Sequence, residues 1–149
     1  MPSGNKHLSV QDWLGIHPNP TSVAARISHE QTLKLLQERP DGIAILDLRN
    51  DSSPGFLKES INIPATSLNG IDEVKKELID PMKEFKSNLQ LTIVHCNSSK
   101  NRATKVAGWI QDYINENNII DFKVSVLDHG INGWFKLSDP VYKLYIVPI

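Results

Sequence analysis

Cysteine is almost absent from this chain of 149 residues, since Cys96 is the only one. A single thiol excludes an internal disulfide and a zinc site built from several cysteines. The histidines His7, His17, His29 and His129 lack the spacing of metal ligands, so we expect no metal site. Cys96 is therefore either a buried apolar side chain or a chemical reagent.

Long apolar runs and an excess of one charge are also missing. No segment approaches the ~20 apolar residues that span a bilayer, and the first residues lack the apolar stretch of a secretion signal. The 16 basic and 17 acidic residues give a net charge of -1 and a sequence pI near 6.5. This balance argues against a nucleic-acid surface. We expect a cytoplasmic protein with neither a membrane nor a nucleic acid as partner.

The length suits one domain with a single core, and no internal repeat is visible. Residues 1–22 are polar, contain Pro18 and Pro20, and carry Trp13, Leu14 and Ile16 as their only substantial apolar cluster. We interpret residues 1–22 as an N-terminal arm, partly extended or disordered, that these apolar groups could clamp to the domain. Residues 23–149 form the domain.

Apolar strands alternate with amphipathic helices along the domain. The patterns predict strands over 43–48, 91–95 and 123–127. A capping box at Ser28 predicts a helix from about His29, a break at Asp80 predicts two short helices between 71 and 85, and a helix face runs over 103–114. This alternation predicts an α/β fold with a mostly parallel sheet flanked by helices. Such sheets bind ligands at the carboxyl ends of their strands, where Asp47 and Cys96 fall.

The sequence HCNSSKNR joins the strand over 91–95 to the following helix. The five residues between Cys96 and Arg102 can curl so that their N–H groups surround a tetrahedral anion, and the helix start adds its positive dipole. The Arg102 guanidinium can bind two anion oxygens, and this positive environment favours the nucleophilic thiolate of Cys96. The pattern predicts Cys96 and Arg102 as catalytic residues. The predicted anion-binding loop is Asn97, Ser98, Ser99, Lys100 and Asn101.

The sequence gives weaker indications of function for the polar residues around Cys96 and Arg102. Lys100 either attracts the anion or is a solvated surface charge. His95 ends the strand, so we expect it to point away from the anion and to form a hydrogen bond beneath the loop. Asp47 can accept hydrogen bonds from loop amides and Arg49 can pair with nearby carboxylates, which predicts a supporting role for both.

The loop HCNSSKNR resembles the active-site loop of the rhodanese superfamily in its C-x5-R form, which fungal arsenate reductases and M-phase inducer phosphatases share. Three more segments resemble the superfamily. ISHEQTLKLL resembles its opening strand and helix, ILDLRNDSSPGFLKESINIPA resembles its D-x-R segment, and VLDHGINGW resembles its closing segment. The resemblance covers about Arg26 to Trp134. The run Ser99-Lys100-Asn101-Arg102 is especially similar to the arsenate reductase version, whereas sulfurtransferase loops are one residue shorter.

Some positions depart from the family pattern. The loop contains no glycine, a residue that lets a backbone approach phosphate closely in phosphatase versions. Ala103-Thr104 stands where Gly-Pro is usual. Asp128 lies in the closing segment, where a pair of glycines is usual, and this side chain either donates a proton to a leaving oxygen or caps the last turn.

The resemblance implies a glutathione- and glutaredoxin-dependent arsenate reductase. Cys96 would attack arsenate, glutathione would displace the adduct as co-substrate, and no cofactor would stay bound. One alternative is a protein tyrosine or dual-specificity phosphatase, which would form a phosphocysteine with a phosphoprotein or small phosphoester. Another is a non-catalytic domain that binds anions or acts as a scaffold. For these classes the nucleus is a second expected location beside the cytoplasm.

Overall fold

The computed structural model of this chain describes residues 9 to 149, with a five-stranded sheet at the centre. Its strands are β1 (Ala25–Ile27), β2 (Ile43–Asp47), β4 (Ile61–Asn62), β5 (Leu91–His95) and β6 (Lys123–Leu127). They lie in the order β1-β6-β5-β2-β4, and every neighbouring pair is parallel. The expected α/β fold is therefore confirmed.

Helices cover both faces of this sheet. They are α1 (Val10–Ile16), α2 (His29–Glu38), α3 (Asp80–Phe85), α4 (Arg102–Glu116), α5 (Gly130–Phe135) and α6 (Pro140–Lys143). Successive side chains of a strand point to opposite faces. Ala44 and Leu46 of β2 therefore pack with α1, α3 and α4, whereas Ile43 and Ile45 pack with α2 and α5. Burial on both faces explains why the strand reads as a continuous apolar run.

The beginning of α2 confirms the predicted capping box. The Ser28 hydroxyl accepts a hydrogen bond from the Gln31 N–H at 3.0 Å, and the Gln31 side chain accepts one from the Ser28 N–H at 3.4 Å. These bonds satisfy two N–H groups near the helix start, where no carbonyl partner exists within the helix.

Part of the expected extended arm is helical. Residues Val10–Ile16 form α1, capped by Ser9, and Trp13 is completely buried with its indole N–H donating to the Leu68 carbonyl at 3.2 Å. The Lys105 ammonium of α4 bonds to the carbonyls of Leu14 and His17, at the end of α1. These contacts hold the arm against α4, and residues 1–8 lie outside the described residues.

The expected break at Asp80 does not occur. Residues Lys75–Ile79 form a π-helical turn that leads directly into α3, and Asp80 has helical φ and ψ of -61° and -46°. The Asp80 N–H donates to the carbonyl of Lys75, five residues earlier. This wider turn brings the chain into Pro81 without the usual clash between a proline ring and the carbonyl four residues before it.

Sequence patterns did not predict the strand near the C-terminus or its pairing. Strand β7 (Ile146–Pro148) pairs antiparallel with β3 (Gly55–Leu57), and together they form a second, two-stranded sheet. Strands this short leave little periodicity to detect. The pairing places the C-terminal segment beside the residues that follow Asp47 and Arg49.

Gly108 of α4 is expected to be essential for the packing of the arm. A Cβ atom at this position would lie 2.3 Å from Pro20 Cγ and 2.8 Å from the Ser22 carbonyl oxygen. We expect Gly108→Ala to lower the free energy of unfolding by about 1–3 kcal/mol, because the arm must move. Urea denaturation measures this change.

Gly15→Ala is the matched control, because Gly15 lies in α1 and a methyl group added there would meet no atom within 4 Å apart from its chain neighbours and the backbone of α1. We expect this control to be neutral or to raise the free energy of unfolding by up to about 1 kcal/mol. Equal stability of the Gly108→Ala and wild-type proteins would contradict the tight docking of the arm.

Candidate active site

The carboxyl ends of β2 and β5 bring Asp47 and Cys96 to the same edge of the sheet. Asp47 is in register with His95, and Cys96 is the next residue along the chain. The Cys96 side chain is 3% exposed at the base of the loop that leads into α4. The structure thus places Asp47, His95 and Cys96 together at this edge of the sheet, as the sequence predicted.

The loop carbonyls are bonded to the protein around them. The N–H groups of Ile131 and Asn132 donate to the carbonyls of Cys96 at 3.3 Å and Asn97 at 2.9 Å. Arg26 Nη2 donates to the Ser99 carbonyl at 3.0 Å, and the Thr104 hydroxyl donates to it at 3.2 Å. In contrast, the N–H groups of residues 97–101 form no hydrogen bond with any part of the described chain. Residues 97, 98, 100 and 101 are at least partly exposed, so their N–H groups are the donors that an anion could reach.

Ser99 takes the backbone conformation for which a glycine is usual. Its φ is 59°, in the left-handed region, and its side chain is completely buried. The Ser99 hydroxyl accepts a hydrogen bond from the Cys96 N–H at 3.4 Å. Such local bonding, together with the anchored Ser99 carbonyl, offsets the cost of a left-handed non-glycine residue. The lack of glycine in the loop is therefore compatible with its curled shape.

Gly130 lets α5 approach the loop closely. A Cβ atom there would lie 2.3 Å from the Asn97 carbonyl oxygen and 2.8 Å from that of Cys96. The φ of Gly130 is 59°, so a side chain would also strain the backbone. Gly130, one of the two glycines of the closing segment, thus has a direct role in packing the loop.

The cationic side chains of the loop have no partner in the part of the chain described. Arg102 is partly exposed as the first residue of α4, and Lys100 is exposed. Neither forms a salt bridge or side-chain hydrogen bond with residues 9–149. The exposed Asn97 and Asn101 and the partly exposed Ser98 complete the rim of the loop. Arg102 is thus free to bind an anion.

Asp47 and Arg49 form a buried ion pair. The Arg49 guanidinium donates from Nη2 to Asp47 Oδ2 at 2.8 Å and from Nε to Asp47 Oδ1 at 3.0 Å, and the Arg49 N–H also donates to Oδ1 at 3.0 Å. Burial alone would raise the pKa of Asp47, but the hydrogen bonds from Arg49 and the nearby charges lower it overall. The Asp47 carboxylate therefore binds Arg49 rather than the loop amides that the sequence suggested.

His95 lies completely buried beneath the loop. Its Nδ1 is 3.2 Å from the carbonyl oxygen of Cys96 and 4.0 Å from Asp47 Oδ1. Burial lowers the pKa of His95, despite the opposing effect of Asp47, and this favours the neutral imidazole. A neutral Nδ1–H can donate to the Cys96 carbonyl, which matches the expected hydrogen bond beneath the loop.

Asp128 has a different partner from those that the sequence suggested. Arg26 Nε donates to Asp128 Oδ1 at 2.8 Å, and no hydrogen bond from the Asp128 side chain caps α5. The bond with Arg26 lowers the pKa of Asp128, so this carboxyl group is ionised at neutral pH. An ionised carboxylate cannot donate a proton to a leaving oxygen.

Sequence reasoning missed the role of Arg26. Its guanidinium connects Asp128 to the Ser99 carbonyl and thereby supports the loop. Arg26 and Val126 are in register in the parallel pair of β1 and β6, so Arg26 lies at the same edge of the sheet as Cys96. The position of Arg26 near the end of β1 pointed to a place at the edge of the sheet where the site lies. The pairing of β1 with β6, however, could not be known from one sequence.

Two further properties of the described residues bear on the kind of site. No group of three or more histidine, cysteine, aspartate or glutamate side chains in residues 9–149 is placed to hold a metal ion. Among the same residues, no helix has the length and apolar character needed to cross a membrane.

The Asp47–Arg49 pair predicts a pH-dependent contribution to stability. We expect Asp47→Asn to lower the free energy of unfolding by about 3–5 kcal/mol at pH 7, because it leaves a buried guanidinium without its counter-charge. The pKa of Asp47 is lowered in the folded state, so its contribution is present above about pH 4 and is lost as the pH falls through the folded-state value.

Urea denaturation between pH 7 and pH 3 tests this expectation. The difference between wild type and Asp47→Asn should shrink towards the acidic end of the range. The exposed Asp72 provides a control, because Asp72→Asn removes the same charge without breaking a buried pair. A difference that stays constant with pH would contradict the assigned role of the Asp47 carboxylate.

Solved structures with a similar fold include the As-Sb reductase from Leishmania major. It is 24% identical, covers 83% of this chain and 84% of its own, and superposes with a TM-score of 0.69. Ygr203w from Saccharomyces cerevisiae, described as a protein tyrosine phosphatase of the rhodanese family, is 14% identical. It covers 79% of this chain and 90% of its own, with a TM-score of 0.58. At these identities the similarity shows the fold alone.

The family assignment depends on the sequence itself. No curated protein matches this chain with significant similarity. The family model described as a rhodanese-like domain matches residues 28–137, which include β2, β5 and the whole loop between Cys96 and Arg102. Because this match covers well over half of the sequence, the chain belongs to the rhodanese-like domain family.

Proposed function

We propose that this chain is a cysteine-dependent oxyanion enzyme that reduces arsenate with glutathione. One observation carries the proposal: the backbone N–H groups of the loop that follows Cys96, and the Arg102 guanidinium at its end, have no hydrogen-bond partner in residues 9–149. A tetrahedral oxyanion matches this arrangement, because its oxygens can accept hydrogen bonds from several directions at once. The N-terminus of α4 adds its partial positive charge.

The proposed reaction uses the electron pair of the Cys96 thiolate. The sulfur attacks arsenic, and an arsenate oxygen leaves as water, which produces a thioester of arsenate on Cys96. A second thiol then bonds to the Cys96 sulfur while the electron pair of the broken sulfur–arsenic bond stays on arsenic. The sum is arsenate and two thiols giving arsenite, a disulfide and water.

The second thiol must come from outside this chain, because Cys96 is its only cysteine. Glutathione fits this requirement as co-substrate, and a dithiol protein such as glutaredoxin would then reduce the mixed disulfide. The similar fold of a protein described as an As-Sb reductase supports this choice of reaction.

Phosphatase activity is the second candidate, since the same loop can bind phosphate and a structure with this fold is described as a tyrosine phosphatase. A phosphoester must expel an alkoxide or phenoxide, which a general acid assists. Within the described residues, Asp128 is paired with Arg26 and His95 is buried and favours its neutral form. Arsenate carries its own hydroxyl protons, so these side chains favour arsenate over an alkyl phosphoester.

Parallel assays separate these candidates. We expect purified protein to form arsenite with arsenate, glutathione and glutaredoxin, and to act only weakly on an aryl phosphate. Strong hydrolysis of the aryl phosphate without arsenite formation would favour the phosphatase. Activity in neither assay would favour the non-catalytic anion-binding or scaffold domain.

Substitutions at the loop test the roles of its two ends. We expect Cys96→Ser to abolish activity, because a hydroxyl cannot supply the anionic nucleophile. Arg102→Lys should reduce kcat/KM more than about 100-fold, since an ammonium lacks the planar fork that orients an oxyanion. Arg39→Lys, at an exposed position beyond the end of α2, is the matched control and should leave the rate unchanged. Wild-type kinetics for Arg102→Lys would remove Arg102 from the site.

The covalent state of Cys96 during turnover provides a separate prediction. Mass spectrometry after a single turnover with arsenate and glutathione should show one glutathione adduct, bound to Cys96. The Cys96→Ser protein is the control and should show no adduct. Arsenite formation in the absence of any thiol would contradict the proposed reduction.

A further inference from the structure

A basic cleft lies beside the Cys96 loop, between the loop and α5. Its cavity volume is about 420 Å³, and the residues that line it include His29, Ser98, Lys100, His129, Asn132 and Lys136. No aspartate or glutamate lines it. The volume is within the range of small-molecule sites, about 300–1,000 Å³.

The two lysines of this cleft are not paired with an acidic side chain within the described residues. Lys100 and Lys136 are exposed, and neither forms a salt bridge with residues 9–149. Asp128 is paired with Arg26, and its Oδ2 also lies 3.6 Å from Nε2 of the lining residue His129, so the uncompensated charge of the cleft is that of the two lysines. In a chain with a net charge of -1, this cleft is a local positive site next to the nucleophile.

The cleft and the Cys96 loop share residues and are joined by a backbone hydrogen bond. Asn132 of α5 lines the cleft, and its N–H donates to the carbonyl of Asn97, the residue after Cys96. Ser98 and Lys100 contribute to the opposite wall from within the loop. A ligand in the cleft therefore lies next to the anion-binding loop.

A second cleft, on the other side of the loop, has a different character. Leu14, Pro20 and Val23 of the N-terminal segment contribute to its lining. Lys100 lines both clefts, but the other lysine of the second cleft, Lys105, already bonds through its ammonium to the carbonyls of Leu14 and His17. An anionic ligand is therefore favoured on the α5 side of the loop.

We propose that the basic cleft binds a carboxylate of the external thiol and so delivers its sulfur to Cys96. The inference rests on the proposed function, since the reduction needs a second thiol that this chain does not contain. Glutathione is a small thiol with two carboxylates, and an ion pair with Lys136 and Lys100 would hold it beside the loop. The cleft thus selects carboxylate-bearing thiols over neutral ones.

Thiol–disulfide exchange tests this selection without arsenate. The Cys96 thiolate attacks a disulfide, forms a mixed disulfide and expels one thiolate, so no other oxidant is needed. The measured quantity is the ratio of the rate with glutathione disulfide to the rate with neutral bis(2-hydroxyethyl) disulfide. We expect Lys136→Glu to lower this ratio roughly three- to tenfold, because attraction becomes repulsion at an exposed site.

Lys123→Glu is the matched control, since it makes the same charge change at the start of β6, the opposite end of the strand from the loop. It should leave the ratio unchanged. An unchanged ratio in Lys136→Glu, or an equal fall in both variants, would overturn the proposal. So would an equal loss of rate with both disulfides, because Lys136 would then act on Cys96 rather than on the carboxylate.

A binding measurement separates failure of this inference from failure of the proposed function. S-methylglutathione, which cannot react, is titrated into the Cys96→Ser protein and into the same protein with Lys136→Glu. We expect the amide signals of residues 132 and 136 to shift during the titration of the Cys96→Ser protein. They should not shift in the protein that also carries Lys136→Glu. These shifts would support the cleft even if no arsenate were reduced. The absence of these shifts would overturn the proposal. So would shifts at these amides that only an acidic phosphopeptide produced.

Discussion

The anion site depends on the outward anchoring of the loop carbonyls. A trans peptide holds its carbonyl and its N–H in opposite directions, so a carbonyl bonded to the surrounding protein turns the adjoining N–H the other way. The amides of α5 hold the carbonyls of Cys96 and Asn97, and Arg26 holds that of Ser99. The backbone orientation of the loop is therefore fixed by residues outside the loop.

A buried ion pair lies at the base of this loop. The pair of Asp47 and Arg49 is almost completely inaccessible, and Arg49 also donates to the Gly55 carbonyl at 3.0 Å. This bond connects the end of β2 to β3, while His95 lies between Asp47 and the Cys96 carbonyl. The hydrogen bonds of Arg49 hold the base of the loop, whereas His95 Nε2 is buried without a hydrogen-bond partner among the described residues.

Much of the sheet and the two ends of the loop could be predicted from the sequence. The strands β2, β5 and β6 are apolar runs, and the spacing of Cys96 and Arg102 is a local signal. The partners of Asp128 and Asp47 could not be predicted, because ion pairs depend on which side chains the packed sheet brings together. Arg26 and Asp128 are 102 positions apart in the sequence. The helix of the arm was also missed, since its stability comes from burying Trp13 rather than from its own short pattern.

The anchoring of the loop also determines when the site can be assembled during synthesis. Chains emerge from the ribosome from the N-terminus, and the Cys96 loop emerges well before Asn132 of α5. Until α5 and β6 are complete, the loop carbonyls lack the amide donors of α5, and Arg26 lacks its partner Asp128. When Cys96 emerges, the loop around it therefore lacks the partners that hold its carbonyls. The candidate site is complete only after β6 and α5 have packed against the loop.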